Sequence, residues 1–366
     1  MVHGSRFTVN GKRNENKKGY HMNTIYLLCN QGNLTVEKFH FCTWDVRDEN
    51  TFVEAGFCIK KENNTPDAID FYLALPFLTE QTTAESLHTN LADTANYRFI
   101  FNEIAEHTDS INGDNRNGCI ITIGNGVNEQ DKKYAVVPAT CSIVDGQNMV
   151  KISIRKPAGV YGHIYSRILI KTNRKTIAET ISSITKRTYV YDIKVNEARN
   201  IPDDVFNYKQ EQDLKLLKIQ NTFCLHCVPS DYELGFSDSA KLKNVRKLEM
   251  DAFCHYLPLL KGMRGGYNIV FLKEKNENGN SFFTTFSKEY IGNKQLLIAL
   301  VTNLICNLLF AVAAFRSTLG TGEVWYEKIP LEWYISLVVI LICVLYCVPK
   351  IPYLSKWIYA LKNRRH

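Results

Sequence analysis

Two apolar runs close the chain: LLIALVTNLICNLLFAVAAF from Leu296 to Phe315, and WYISLVVILICVLYCV from Trp333 to Val348. A polar loop with Gly320, Gly322, Glu323 and Glu327 separates them. A bilayer core of about 30 Å needs roughly 20 apolar residues of helix, and the first run has that length. The second reaches the lower limit once Leu331 and the Pro349 end are counted, with Glu332 at its mouth. Lipid offers no partners for backbone amides and carbonyls, so each run would close its own hydrogen bonds as a helix. The expected architecture is therefore α+β, a strand-rich cytosolic region followed by a C-terminal two-helix transmembrane hairpin.

Lys and Arg collect at cytoplasmic helix ends. Lys288 and Lys294 precede the first run, and Lys350, Lys356, Lys362, Arg364 and Arg365 follow the second, whereas the loop holds only Arg316 and Lys328 beside its acids. Trp325, Tyr326, Trp333 and Tyr334 mark one interface, and Tyr346, Tyr353, Trp357 and Tyr359 the other. Both termini are thus expected in the cytoplasm, with the lipid bilayer of the inner membrane as a partner. Asn303 and Asn307, four residues apart with Thr302 and Cys306 close by, share a helix face. Amides are costly against lipid, so this face is expected to associate with the second helix or another copy, giving a homo-oligomer.

Residues 1–21 are polar and basic and read as a disordered arm or an early start, without the apolar stretch of a signal peptide. Their net charge of +4 and the +5 of the tail after Pro349 exceed the total of +7, leaving −2 between. The basic balance is an end effect, and no stripe suited to duplex nucleic acid remains. Eleven cysteines without framework spacing read as reduced thiols, and the sequons at Asn33 and Asn63 as chance matches.

Between the ends, short runs rich in Val, Ile, Tyr, Phe and Thr predict strands at 24–29, 34–43, 52–60, 69–75, 98–101, 119–123, 135–137 and 139–144, with a helix near 84–95. A hairpin is expected from Met149–Ile154 through Lys156, Pro157, Ala158 and Gly159 into Val160–Lys171. Ile177, Ile181 and Ile184 suggest a helix over 175–185, before a strand at 188–195. Charged helical stretches near 203–217 and 240–257 surround a strand at 219–228, and a last hairpin joins 267–275 to 281–290. Pro202 marks the expected boundary between a β-rich sensor domain, 22–201, and an α+β subdomain, 202–290, ahead of the membrane segment, 291–366.

Catalytic signals are poor: no P-loop, nucleophile elbow, paired-His zinc helix or kinase set occurs, so no enzyme activity and no cofactor are expected. Gly124, Asn125 and Gly126 begin like a dinucleotide loop, yet Glu129 stands where the third glycine belongs. Cys224, His226 and Cys227 are zinc-type ligands, but in a strand Cys227 faces away from the other two, and no metal set is assigned. The more useful feature is the expected hairpin's polar face, formed by Lys151 and Arg155 on its first strand and Tyr161, His163, Tyr165, Arg167 and Lys171 on its second. Arg grips phosphate bidentately and Tyr stacks on a base, making this face a candidate floor for a nucleotide or another anionic ligand. A solvated sheet face is the alternative.

The order of a β-rich module and a terminal two-helix hairpin resembles the membrane effectors of bacterial anti-phage signalling systems. The resemblance lies in architecture and in no motif. It implies that residues 22–290 sense a nucleotide second messenger and control assembly of a membrane-disrupting hairpin. A membrane-tethered enzyme without a linear motif and a passive scaffold remain the alternatives.

Overall fold

Side chains of a strand alternate between its two faces, and most of the β-branched and aromatic runs of this chain obey that period of two. In the computed structural model the described residues are 24–289, apart from 32–33, 47–49, 63, 94, 98–104, 124–131, 184–185, 264 and 278, then 293–318 and the single positions Tyr334, Leu337, Val338 and Leu341. The arm at 1–21, the expected strand at 98–101, the loop at 124–126 and most of the second apolar run lie outside them.

In chain order the elements are β1 (Thr24–Cys29), β2 (Thr35–Trp44), β3 (Phe52–Lys60), β4 (Ala68–Ala74), β5 (Thr83–Ser86), α1 (His88–Leu91), β6 (Ala105–Ser110), β7 (Cys119–Ile123), β8 (Lys133–Val136) and β9 (Ala139–Ile143). Then come β10 (Met149–Arg155), β11 (His163–Lys171), β12 (Glu179–Ser182), β13 (Lys186–Val195), α2 (Asp203–Glu211), β14 (Lys215–Leu216), β15 (Lys218–Pro229), β16 (Glu233–Ser237) and β17 (Leu242–Lys247). The remainder are α3 (Met250–Tyr256), β18 (Tyr267–Glu274), β19 (Asn280–Glu289) and α4 (Asn293–Thr318).

The strands form two sheets. One runs β16-β19-β13-β1-β4-β10-β9, the other β17-β18-β15-β2-β3-β11-β8-β7-β6. Their inner faces share one core: Ile25, Leu27, Phe71 and Ile152 from the first meet Phe39, Phe41, Phe57 and Ile168 from the second. Phe57 and Phe71 stack across it with centroids 5.4 Å apart. This is a sandwich, in which each strand turns one face inward. On the first sheet's outer side α2 packs Val205 against Tyr26, Leu28 and Tyr72. On the second sheet's outer side Leu87, Leu91, Phe253, Tyr256 and Leu260 pack with Trp44 and Phe52 in a further buried cluster. Strands from either side of Pro202 share sheets: β1 pairs with β4, β13 and β14, and β2 pairs in parallel with β15.

Both expected hairpins prove to be crossings between sheets. β10 pairs with β4 and β9, while β11 pairs with β3, β5 and β8. The cause is burial. Eight of the nine residues of β11 are buried, so it must lie inside a sheet covered on both faces, whereas β10 keeps Lys151 and Ser153 half-buried and Arg155 exposed. β18 and β19 separate in the same way, onto β15 and β16. The helix expected over 175–185 is instead the exposed strand β12, and that at 240–257 divides into β17 and α3. Near 84–95, β5 joins β11 and leaves only the four-residue α1. α2 stops at Glu211, shortly before Asp213 takes a φ of 49°.

The C-terminal expectation is corrected. Among the described residues, no helix is long and apolar enough to cross a membrane. The apolar run within α4 is interrupted by Thr302, Asn303 and Asn307, and of the second run only Tyr334, Leu337, Val338 and Leu341 are described. The α+β arrangement with a two-helix transmembrane hairpin is therefore replaced by a strand-rich fold with four α-helices among the described residues. The inner-membrane location with cytoplasmic termini, which rested on that hairpin, falls with it. α4 belongs to a separate unit from the sandwich.

One buried acid ties the two sheets. Asp45, just past β2 and 4% exposed, accepts hydrogen bonds from Tyr191 on β13 at 2.8 Å and from Thr176 at 3.0 Å. Burial nevertheless pushes its pKa up to about 6. The folded state then holds this proton more tightly than the unfolded chain, so stability should fall as pH rises from about 4 to about 6, by on the order of 2–3 kcal/mol. Urea midpoints across that window measure the fall. Asp45→Asn is expected to flatten the slope, and a parallel pH dependence in that variant contradicts the assignment.

Candidate ligand-binding site

The outer face of the second sheet carries chemistry that its inner face cannot. Alternation presents Lys38, His40, Cys42 and Trp44 from β2, Glu54, Gly56 and Cys58 from β3, His163, Tyr165 and Arg167 from β11, and Phe223, Leu225 and Cys227 from β15. The register places His40, Gly56 and Arg167 in one row across three strands, with Phe223 beside His40.

Glu54 organises this face. Only 1% exposed, its carboxylate accepts hydrogen bonds from Trp44 Nε1 at 2.6 Å, Tyr256 Oη at 2.6 Å and Arg167 Nε at 2.5 Å. Arg167 Nη1 donates to the Tyr165 hydroxyl at 3.1 Å, which lies 3.2 Å from His40 Nδ1. Burial works against charge on Arg167, but Glu54 together with the neighbouring Tyr256, Tyr165 and Cys42 outweighs it and keeps the guanidinium charged. Burial pushes the Tyr165 hydroxyl up to about 12. Burial, then Arg167 and Lys38, push His40 well down, so its ring is neutral. Gly56 makes the network possible: a Cβ there would stand 2.5 Å from the Tyr165 hydroxyl.

Beside this network lies a cavity of about 400 Å³. Its cationic lining is Lys38, Arg167, Lys243 and Arg246, set against Glu54 as the sole carboxylate among the described lining residues. Lys243 and Arg246 are exposed on β17, which ends the sheet and carries a bulge between Leu242 and Asn244. Phe223 and Phe271, both half-buried, stack 5.9 Å apart with an interplanar angle of 7°. The Lys273 ammonium lies 5.2 Å from the Phe223 centroid. Cys42 and Cys227 line the far wall with Sγ atoms 3.8 Å apart. Burial pushes the Cys227 and Cys58 thiols up, so neither is a thiolate, and the His40 ring beside them is neutral.

Of the residues expected to form the site, the fold brings Tyr165 and Arg167 together, with His163 on the same face 2.9 Å from Glu37. The others are dispersed. Lys151 pairs with Asp70 at 2.9 Å on the first sheet, and Arg155 is exposed at the end of β10. Tyr161 is buried in the sandwich core and donates to the Pro157 carbonyl, while Lys171 pairs with Glu85 at 2.7 Å. Asn303 and Asn307 are exposed on α4, in the other unit. Cys224 and His226 lie 3.7 Å apart toward the core, and Cys227 points to the opposite side, as strand geometry requires. Glu54, Trp44, Tyr256, Phe271, Lys243 and Arg246 escaped the sequence reading because they come from separate strands and a helix. The alternation of Phe223, Leu225 and Cys227 was the one local signal.

Glu54→Gln is expected to lower stability by about 3–5 kcal/mol, because it leaves the Arg167 charge buried and uncompensated. Adding Arg167→Met should restore much of the loss. Denaturant midpoints of the two variants against the parent measure both effects.

No family model matches the chain, and no curated protein matches it. Among solved structures it is similar to a candidate protease from Parabacteroides distasonis, at a TM-score of 0.30 and 9% identity, over 78% of this chain. The chain spans 47% of that protein's length, and a likeness at this level carries no argument about function.

Proposed function

We propose that the outer-face cavity binds a small anionic ligand with a planar ring, a nucleotide being the class that fits, and that the protein recognises this ligand without turning it over. The observation that carries the reading is four cationic side chains and a stacked phenylalanine pair around one cavity holding one carboxylate. The volume is within the usual range for small-molecule sites. A base stacks on the half-buried Phe223 and Phe271 rings, since aromatic faces accept any base. Phosphate oxygens meet Lys243 and Arg246, whose exposed heads form charge-assisted hydrogen bonds at little desolvation cost. Arg167 is paired with Glu54, so the floor is close to neutral and the net positive charge around the cavity comes from Lys38, Lys243 and Arg246. This retains the ligand-sensing part of the sequence expectation and leaves out membrane disruption.

Thermal unfolding of the full chain with mono-, cyclic and linear di-nucleotides tests the proposal. A ligand at 100 times its Kd should add about 2.7 kcal/mol of stability. Phe223→Ala and Arg246→Ala are each expected to weaken binding at least tenfold, and added salt should weaken it further. Absence of any nucleotide-dependent shift, or unchanged binding in both variants, overturns the reading.

A further inference from the structure

At the Lys38 end of the same sheet face, three ligand-type atoms converge on residues outside the lining of the cavity. Glu37 lies at the bulge between the Val36 and Lys38 pairs of β2, and such an extra residue re-aims its side chain. Its Oε2 is 2.9 Å from His163 Nδ1 and 3.8 Å from Cys58 Sγ. All three donor atoms lie within 4.8 Å of one another. His163 is 5% exposed and Cys58 0%, so the donors are held in place by packing, and the Tyr134 ring stacks on the imidazole at 4.4 Å.

We propose that Glu37, Cys58 and His163 bind one Zn²⁺ ion. Zinc prefers thiolate, imidazole and carboxylate at about 2.0–2.3 Å, which sets tetrahedral ligand atoms roughly 3.3–3.7 Å apart. The observed spacings approach that shell to within side-chain adjustments of about 1 Å. Binding releases the Cys58 proton to solvent, and thiolate plus carboxylate then balance the ion's charge. Lys38, whose ammonium bonds the Tyr134 hydroxyl at 3.2 Å, therefore faces no net positive centre. Three protein ligands leave a fourth position for water or an external donor, the pattern of zinc sites that act on or hold another molecule. The site stands on residues distinct from those that carry the nucleotide reading, so either can fail alone.

Cobalt substitution tests it, because a thiolate bound to Co²⁺ gives a charge-transfer band that other ligands do not. The chelator-stripped full chain should take up one equivalent of Co²⁺ with that band, and one equivalent of Zn²⁺ should abolish it. Cys58→Ser is expected to remove the band, Glu37→Gln to keep it while weakening Zn²⁺ binding at least tenfold, and Cys42→Ser to change neither. No band in the parent protein, a band that survives Cys58→Ser, or unaltered affinity in Glu37→Gln overturns the proposal. The parent spectrum and the Glu37→Gln affinity decide the matter even where the buried serine variant fails to fold.

Discussion

The carboxylate of Glu54, almost wholly withdrawn from water, is the constraint on which this face of the protein depends. A buried carboxylate is tolerated only when its charge is paired and its lone pairs are filled. Arg167 supplies the charge, and Trp44 and Tyr256 fill the remaining positions. Those partners come from β11, β2 and α3, so one acid fixes two strands and a covering helix relative to β3. Arg167 in turn orients Tyr165, and the missing side chain at Gly56 gives the hydroxyl room. The energetic yield of such a network is small compared with hydrophobic burial; what it secures is a fixed geometry beside a cavity.

The sandwich explains why that geometry is available. Its core is filled by the inner faces of both sheets, which frees the outer face of the second sheet from supplying the main hydrophobic driving force. Helical cover over Trp44 and Phe52 protects one end of that face, and partly exposed side chains remain along β15, β18 and β17. Phe223 and Phe271 are thus half-buried rather than packed away, and the cations of β17 stand at the sheet's edge. Cluster and cavity meet at Lys38, where the β2 bulge turns Glu37 toward Cys58 and His163.

Local periodicity made much of the strand content legible: β1, β3 and β7 occupy the spans that alternation and turn residues predict. Partner choice was not legible. The segments after β10 and β18 do not close hairpins: β11 and β19 lie in the other sheet from the strand before them, β11 because both of its faces are buried. For that reason Tyr165 and Arg167 were found together while Lys151 and Arg155 were placed beside them wrongly. Three isoleucines in 175–185 imitate helical spacing over a stretch too short to enforce it. Apolar runs at the C-terminus carried the reading of a membrane hairpin, whereas among the described residues no helix is long and apolar enough to cross a membrane.

The central claim is that the cavity beside Glu54 is a receptor for an anionic, ring-bearing ligand. An experimental structure of the full chain at saturating nucleotide tests it most directly. The account predicts the base over Phe223 and Phe271, phosphate oxygens within hydrogen-bond distance of Lys243 and Arg246, and the Glu54 to Arg167 pair intact. A nucleotide bound elsewhere, or an empty cavity under those conditions, would contradict it.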